Sequence, residues 1–322
     1  MRADERAGDG DGRGGSGGAH ERSAAGGGPG TPGARVGPGG SSGSAGAGEQ
    51  QSGRPGEATG VDLRAPNEWQ HWHERRIETI SAPHGPLSLT GTHWLDDHPD
   101  GHLPGVAGLW SGDGDQLVLT ATAADGLTVD DKPFAGSVRL TADHGPIDGS
   151  RVAQGARRLV VLRREGLWAV RDFDPDAPAR RSFRGIDTTA YDPRWALPGR
   201  FHRYERTQSI RVENADGRQR GLGLDGEISF TLNGQAHALH VAVEDNGSLW
   251  AVFADATSGS SSYRFRFLRP AAPTADGSVI VDFNRAQLPP CAFADHFICP
   301  FPPPGNTLSV PVAAGERNLL AD

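Results

Sequence analysis

Along residues 67–80 the side chains of Trp69, Trp72, Arg76, Ile77 and Ile80 fall at three- and four-residue steps on one face, and this spacing predicts an amphipathic helix. Asn67 is placed to cap it, with Gln70 three residues on to bond back. From residue 86 the period changes to two. Short alternating runs at 86–90, 116–121, 127–129, 137–142, 158–163 and 166–173 are separated by Asp-Gly, Gly-Pro and Asp-Pro turns. A break at 177–199, with Pro178, Pro193 and Pro198, leads to a second series at 201–212, 227–232, 236–243, 249–254, 262–268 and 278–284. Asp216-Gly217, Asn233-Gly234 and Asn246-Gly247 mark its hairpin turns. No second amphipathic helix of convincing length follows, which disfavours a parallel βαβ architecture. The pattern predicts a mainly β protein, an antiparallel sandwich or barrel-like fold with one N-terminal helix, built as two packed β lobes at 85–176 and 200–322.

Composition sets residues 1–60 apart. They hold 21 of the 46 glycines, no aromatic residue, and only Met1 and Val36 as large apolar side chains. Such a Gly/Ser/Pro-rich segment cannot bury enough surface to offset chain entropy, so it is expected to be disordered. It lacks the apolar core of a secretory signal, and no run in the chain approaches the ~18 apolar residues of a membrane span. A soluble cytoplasmic protein without a membrane partner is the expectation. Beyond residue 60 the chain carries 26 basic and 33 acidic residues, a net charge of −7. A nucleic-acid partner is disfavoured, since phosphate binding needs a concentrated positive surface.

Candidate chemistry concentrates in the last three runs. At 249–254 both faces are apolar, which predicts a central strand. At 263–267 aromatic residues alternate with arginines, and at 279–284 Val279, Val281 and Phe283 take one face, leaving Asp282 and Asn284 together on the other. A meander of these three strands would gather Asp255, Thr257, Ser258, Tyr263, Asp282, Asn284 and Arg285 on one sheet edge. The Pro289-Pro290-Cys291 path starts from the same edge. Each residue also has a structural role open to it: Asp255 and Ser258 can cap a hairpin loop, and Asp282 and Arg285 can form a surface ion pair.

Cys291 and Cys299 stand eight apart, with His296 between them. Their spacing allows a short disulfide loop, which a reducing cytoplasm would disfavour, or, with His296, a zinc site that lacks one ligand and has no partner Cys-x-x-Cys. No metal is assigned, and the sequence names no cofactor. The histidines at 93–102 read as a solvated Asp/Pro/Gly turn. Gly221, Gly223 and Gly226 match a dinucleotide fingerprint outside its required strand-to-helix context. No nucleophile elbow, P-loop or His-Glu-x-x-His occurs.

The chain resembles the bacterial and archaeal family known as domain of unknown function 1684. The resemblance rests on residues 87–95 (Leu-x-Leu-x-Gly-x-x-Trp-Leu), Arg171-Asp172, and 253–259 (Phe-x-Asp-x-Thr-Ser-Gly). It continues through 282–286 (Asp-Phe-Asn-x-Ala), 289–293 (Pro-Pro-Cys-Ala-Phe), 299–303 (Cys-Pro-x-Pro-Pro) and Ala313, Gly315 and Glu316. Leu288 replaces a common asparagine, and His296 lies outside the family pattern. The resemblance implies no known activity, but it favours Cys291, Asp282 and Asn284 over the histidines. The first lobe also resembles a forkhead-associated β-sandwich at 127–133.

Two functions follow. In one, a small-molecule site lies at the C-terminal sheet edge, with Asp282, Asn284 and Cys291 as candidate catalytic residues and Asp255, Thr257, Ser258, Tyr263 and Arg285 as ligand contacts. In the other, the chain is a non-catalytic binding module with a forkhead-associated-like first lobe, and the C-terminal motifs clasp the two lobes.

Overall fold

The computed structural model describes residues 64–320, so the tail expected to be disordered lies outside the described residues. The chain opens with helix α1 (Arg64–Ser81). Its inward face carries Trp69, Trp72, Arg76, Ile77 and Ile80, as the periodicity predicts. The helix begins three residues before Asn67, which therefore does not cap it, and the Gln70 amide donates to Glu74 instead (3.0 Å).

Nine strands form the first lobe: β1 (Leu89–Trp94), β2 (Leu109–Asp113), β3 (Gln116–Ala121), β4 (Leu127–Val129), β5 (Lys132–Pro133), β6 (Gly136–Leu140), β7 (Val152–Gln154), β8 (Arg157–Arg164) and β9 (Leu167–Phe173). They make an antiparallel sandwich, one sheet ordered β1-β9-β8-β7-β4-β5 and the other β2-β3-β6. Between the sheets lies a core of Trp110, Leu117, Leu119, Leu159, Val161 and Val170. Strand β9 is buried on both sides. Trp168 and Val170 face the sandwich core, while Ala169 and Trp94 beside it pack against Ile298 of the second lobe.

The connection is structured. It contains the short helix α2 (Pro178–Ser182) and β10 (Ile186–Thr188), which pairs far along the chain with a C-terminal strand. The second lobe comprises β11 (Ala196–Glu213), β12 (Gln219–Leu232), β13 (Gln235–Val243), β14 (Leu249–Phe253), β15 (Arg266–Leu268) and β16 (Ser278–Asp282); β17 (Glu316–Leu319) is the partner of β10. Asn233 and Gly234 both adopt left-handed φ (52° and 75°), as the two-residue turn joining β12 to β13 requires.

The six strands run β15-β14-β13-β12-β11-β16. The expected meander is therefore corrected: β16 pairs with β11, at the edge opposite β15. The predicted strand at 262–268 is also shorter. Ser262 and Tyr263 spend their amides on Thr257 O and Arg317 O, leaving only residues 266–268 for the ladder. The sheet curls into a half-barrel, and its two edges meet through the segment after β16, where Phe267 and Gln287 exchange both backbone hydrogen bonds (2.8 and 2.9 Å). Phe283 sits inside, with its ring 5.6 Å from both Phe230 and Phe253. No helix among the described residues is long and apolar enough to cross a membrane.

Candidate functional site

The residues singled out from sequence lie in three places. The first is a buried knot at the end of β14. The Asp255 carboxylate is fully enclosed and pairs with the equally enclosed Arg266 guanidinium (2.7 Å). Its other oxygen accepts from the Thr257 amide (2.8 Å), the Thr257 hydroxyl (2.7 Å) and the Val312 amide (3.1 Å). Ser258 Oγ accepts from the Asp255 amide (3.0 Å). Arg266 in turn donates to the carbonyls of Val312, Ala314 and Glu316. Burial pushes the Asp255 carboxyl upward, but the Arg266 charge and the Thr257 donors outweigh it and hold it below the usual range.

The second place is the turn after β16. Asp282 caps it by accepting from the Asn284 amide (3.1 Å) and side chain (2.9 Å), and it meets Arg285 at 3.4 Å. The buried Asn284 side chain also exchanges hydrogen bonds with the backbone N and O of Asp192 (both 2.9 Å), pinning the segment that enters β11. Arg285 stacks over Trp72 of α1, and Trp69 Nε1 donates to Asn284 O (2.8 Å).

The third place holds Tyr263 and Cys291. The Tyr263 hydroxyl donates to Cys291 O (3.1 Å) and lies 3.7 Å from its Sγ, while the Cys291 amide donates to Cys299 Sγ (3.4 Å). Both cysteines are buried and reduced. Hydrogen bonds from the Cys299 thiol, the Tyr263 hydroxyl and Arg264 bring the Cys291 thiol down to about 7 against the opposing effect of burial, and burial pushes Cys299 up. Tyr263 is pushed up chiefly by its own burial.

The structure thus brings Asp255, Thr257 and Ser258 together, Asp282, Asn284 and Arg285 together, and Tyr263 with Cys291, but not all of them on one edge. Two residues with central positions escaped sequence reasoning as site candidates. Glu316, fully buried, accepts from Arg76 Nε (3.0 Å) and the Leu288 amide (2.6 Å), while Arg76 Nη2 also reaches Leu288 O (2.7 Å). Asn306, also fully buried, bridges β13 and β14 by bonding His240 N, His240 O and Val252 O. The signal for Glu316 was its motif, and for Arg76 a charge on an otherwise apolar helix face.

No group of three His, Cys, Asp or Glu side chains that could hold a metal occurs among the described residues. The concave surface lies elsewhere. A groove of about 400 Å³ runs between the lobes, lined by Leu87, Leu89 and Thr90, by residues 177–179 and by residues 292–296. A smaller one of about 240 Å³ adjoins it across Leu87, Ala179 and Phe293.

The family model described as protein of unknown function (DUF1684) matches residues 181–317, which span the second lobe, its connection and every C-terminal motif above. The chain belongs to the DUF1684 family. An uncharacterized protein of Haloarcula marismortui, solved by solution NMR, is 33% identical over 45% of this chain and 82% of that one, with a TM-score of 0.37. Among curated proteins nothing matches. The DUF1684 motifs map onto the Asp255 knot, the Asp282 turn and the two cysteines.

Proposed function

We propose that this DUF1684 protein is a non-catalytic binding protein, in which the family motifs clasp α1 and the half-barrel together and the interlobe groove takes a small molecule. One observation carries the reading: the polar side chains of the motifs spend their hydrogen bonds internally. Asn284 accepts through its amide oxygen from Asp192 N and donates through its amide nitrogen to Asp192 O and Asp282 Oδ1, and Asp255 accepts three donors besides its bond to Arg266. A catalytic or ligand-binding carboxylate needs a lone pair facing its substrate.

The groove has the volume of a small-molecule site, and eight of its eleven lining residues are apolar, with Thr90, Asp295 and His296 as polar groups. The sandwich lobe, which resembles forkhead-associated domains, supplies one wall through β1. The Pro-Pro-Cys-Ala-Phe path supplies the other. The alternative, chemistry at Cys291 on an organic substrate, draws on its lowered thiol and the adjoining Tyr263 and Arg264, but the sulfur is buried and does not line the groove, so a substrate of that size does not reach it.

Two variants separate these readings in a thermal-shift screen of small molecules. Asn284→Ala strips three side-chain hydrogen bonds from a buried turn and should cost about 2–4 kcal/mol while ligand-induced shifts persist. Ala294→Trp fills the groove and should abolish those shifts at near wild-type melting temperature. Wild-type stability of Asn284→Ala with loss of every ligand-induced shift would place the site at the Asp282–Asn284 turn instead.

A further inference from the structure

Cys291 and Cys299 are the neck of a loop. Between them, residues 292–298 form the tongue by which the second lobe grips the first. Phe293 packs with Ile80, Leu87 and Ile186, Phe297 meets Phe173 edge-on at 6.5 Å, and Ile298 enters the cluster of Trp94 and Ala169. Thr92 of β1 holds the tongue by donating to His296 O (2.8 Å). At the neck the Cys291 amide donates to Cys299 Sγ (3.4 Å), which sets the second sulfur against the first cysteine.

The groups around the sulfurs are unequal. Cys291 faces the Tyr263 hydroxyl and Arg264, whose guanidinium lies over the Tyr263, Phe265 and Phe301 rings at 5.6, 5.6 and 4.6 Å. A donor and a cation beside one sulfur stabilise its thiolate. Cys299 lies between Ile298 and Pro300, with its carbonyl accepting from the Ala215 amide (2.8 Å). Both cysteines sit in an apolar cluster with Val252, Phe265 and Phe267, but Cys291 also has a hydroxyl and a guanidinium beside it and the second cysteine against it, groups that inert buried cysteines ordinarily lack.

We propose that Cys291 and Cys299 form a peroxide-responsive thiol pair, in which Cys291 is oxidised first and Cys299 resolves it to a disulfide that locks the interlobe tongue. In the first step the Cys291 thiolate sulfur attacks one oxygen of hydrogen peroxide. The O–O bond breaks, a sulfenic acid forms, and the released hydroxide takes up the thiol proton as water. In the second step the Cys299 sulfur attacks the Cys291 sulfur, the S–O bond breaks, and the hydroxyl leaves as a second water with the Cys299 proton. Two thiols lose two electrons and one peroxide gains them. Closing the neck removes conformational freedom from the unfolded chain and fixes the tongue on β1.

The test is made on the full, reduced chain, treated with hydrogen peroxide while folded, then alkylated in denaturant and weighed intact. Wild type should lose both alkylation sites and become two hydrogens lighter as a monomer, with a higher melting temperature than the reduced form. Cys299→Ser should accumulate a sulfenic acid at Cys291 that dimedone traps, and Cys291→Ser should leave Cys299 alkylatable. Tyr263→Phe should slow the first step. Two fully alkylatable cysteines in peroxide-treated wild type, or oxidation of Cys299 in Cys291→Ser at the wild-type rate, would overturn the proposal.

Discussion

Asp255 shows how an apparently site-like residue becomes structural. Its carboxylate lies in a region where desolvation opposes charge, and only the Arg266 guanidinium with the Thr257 and Val312 donors keeps it ionised. Because its folded-state pKa is lowered from 3.8, the stabilisation is fully present above that value and is lost as pH falls through the folded one. Urea unfolding across pH should therefore show wild-type stability falling in acid. Asp255→Asn should be less stable than wild type at pH 7 and flatter below about pH 4; an unchanged acid slope would assign the loss to other carboxylates. The sequence could place Asp255, Thr257 and Ser258 in a polar turn. It could not show their partner, because Arg266 alternates with aromatics as an exposed strand residue would, and its burial depends on the segment at residues 312–316 folding back over it.

At the scale of elements, α1 and most of the predicted strands were legible from the period at which apolar side chains recur, with 249–254 marked instead by apolar residues on both faces. The order of the last strands was not. Period-two alternation states which side chains share a face but not which strand lies beside which, and curling of the sheet moves β16 to the far edge. Strands β2, β5, β7, β10 and β17 fall outside the predicted runs; all are short, and β10 and β17 pair over more than a hundred residues of chain. Gly315 marks where that C-terminal return is tightest. Its φ is +75°, and a Cβ there would stand 2.5 Å from Ala286 O and 2.7 Å from Phe283 O. Gly315→Ala should therefore destabilise the chain by about 2 kcal/mol or more, read from the urea midpoint at constant m-value. A shift within error would mean that the return is not closely packed.

Across the whole molecule, the motifs of the DUF1684 family join elements far apart in sequence. Arg76 on α1 reaches Glu316 at the C-terminal end, Leu288 lies between them, and Asn284 ties Asp192 to α1 through Trp69. Two lobes could be inferred from the Pro-rich break in the sequence. The clasp could not, since its contacts to α1 span more than two hundred residues and their partners share no local pattern.

Glu316→Gln tests the clasp most directly, because it removes the charge from a fully enclosed carboxylate while keeping its shape and leaves Arg76 without a counter-ion. Hydrogen–deuterium exchange followed by peptide-level mass spectrometry should then show rapid exchange across α1, residues 64–81, with β12 and β13 still protected. Wild-type protection of α1 in the folded variant would contradict the account.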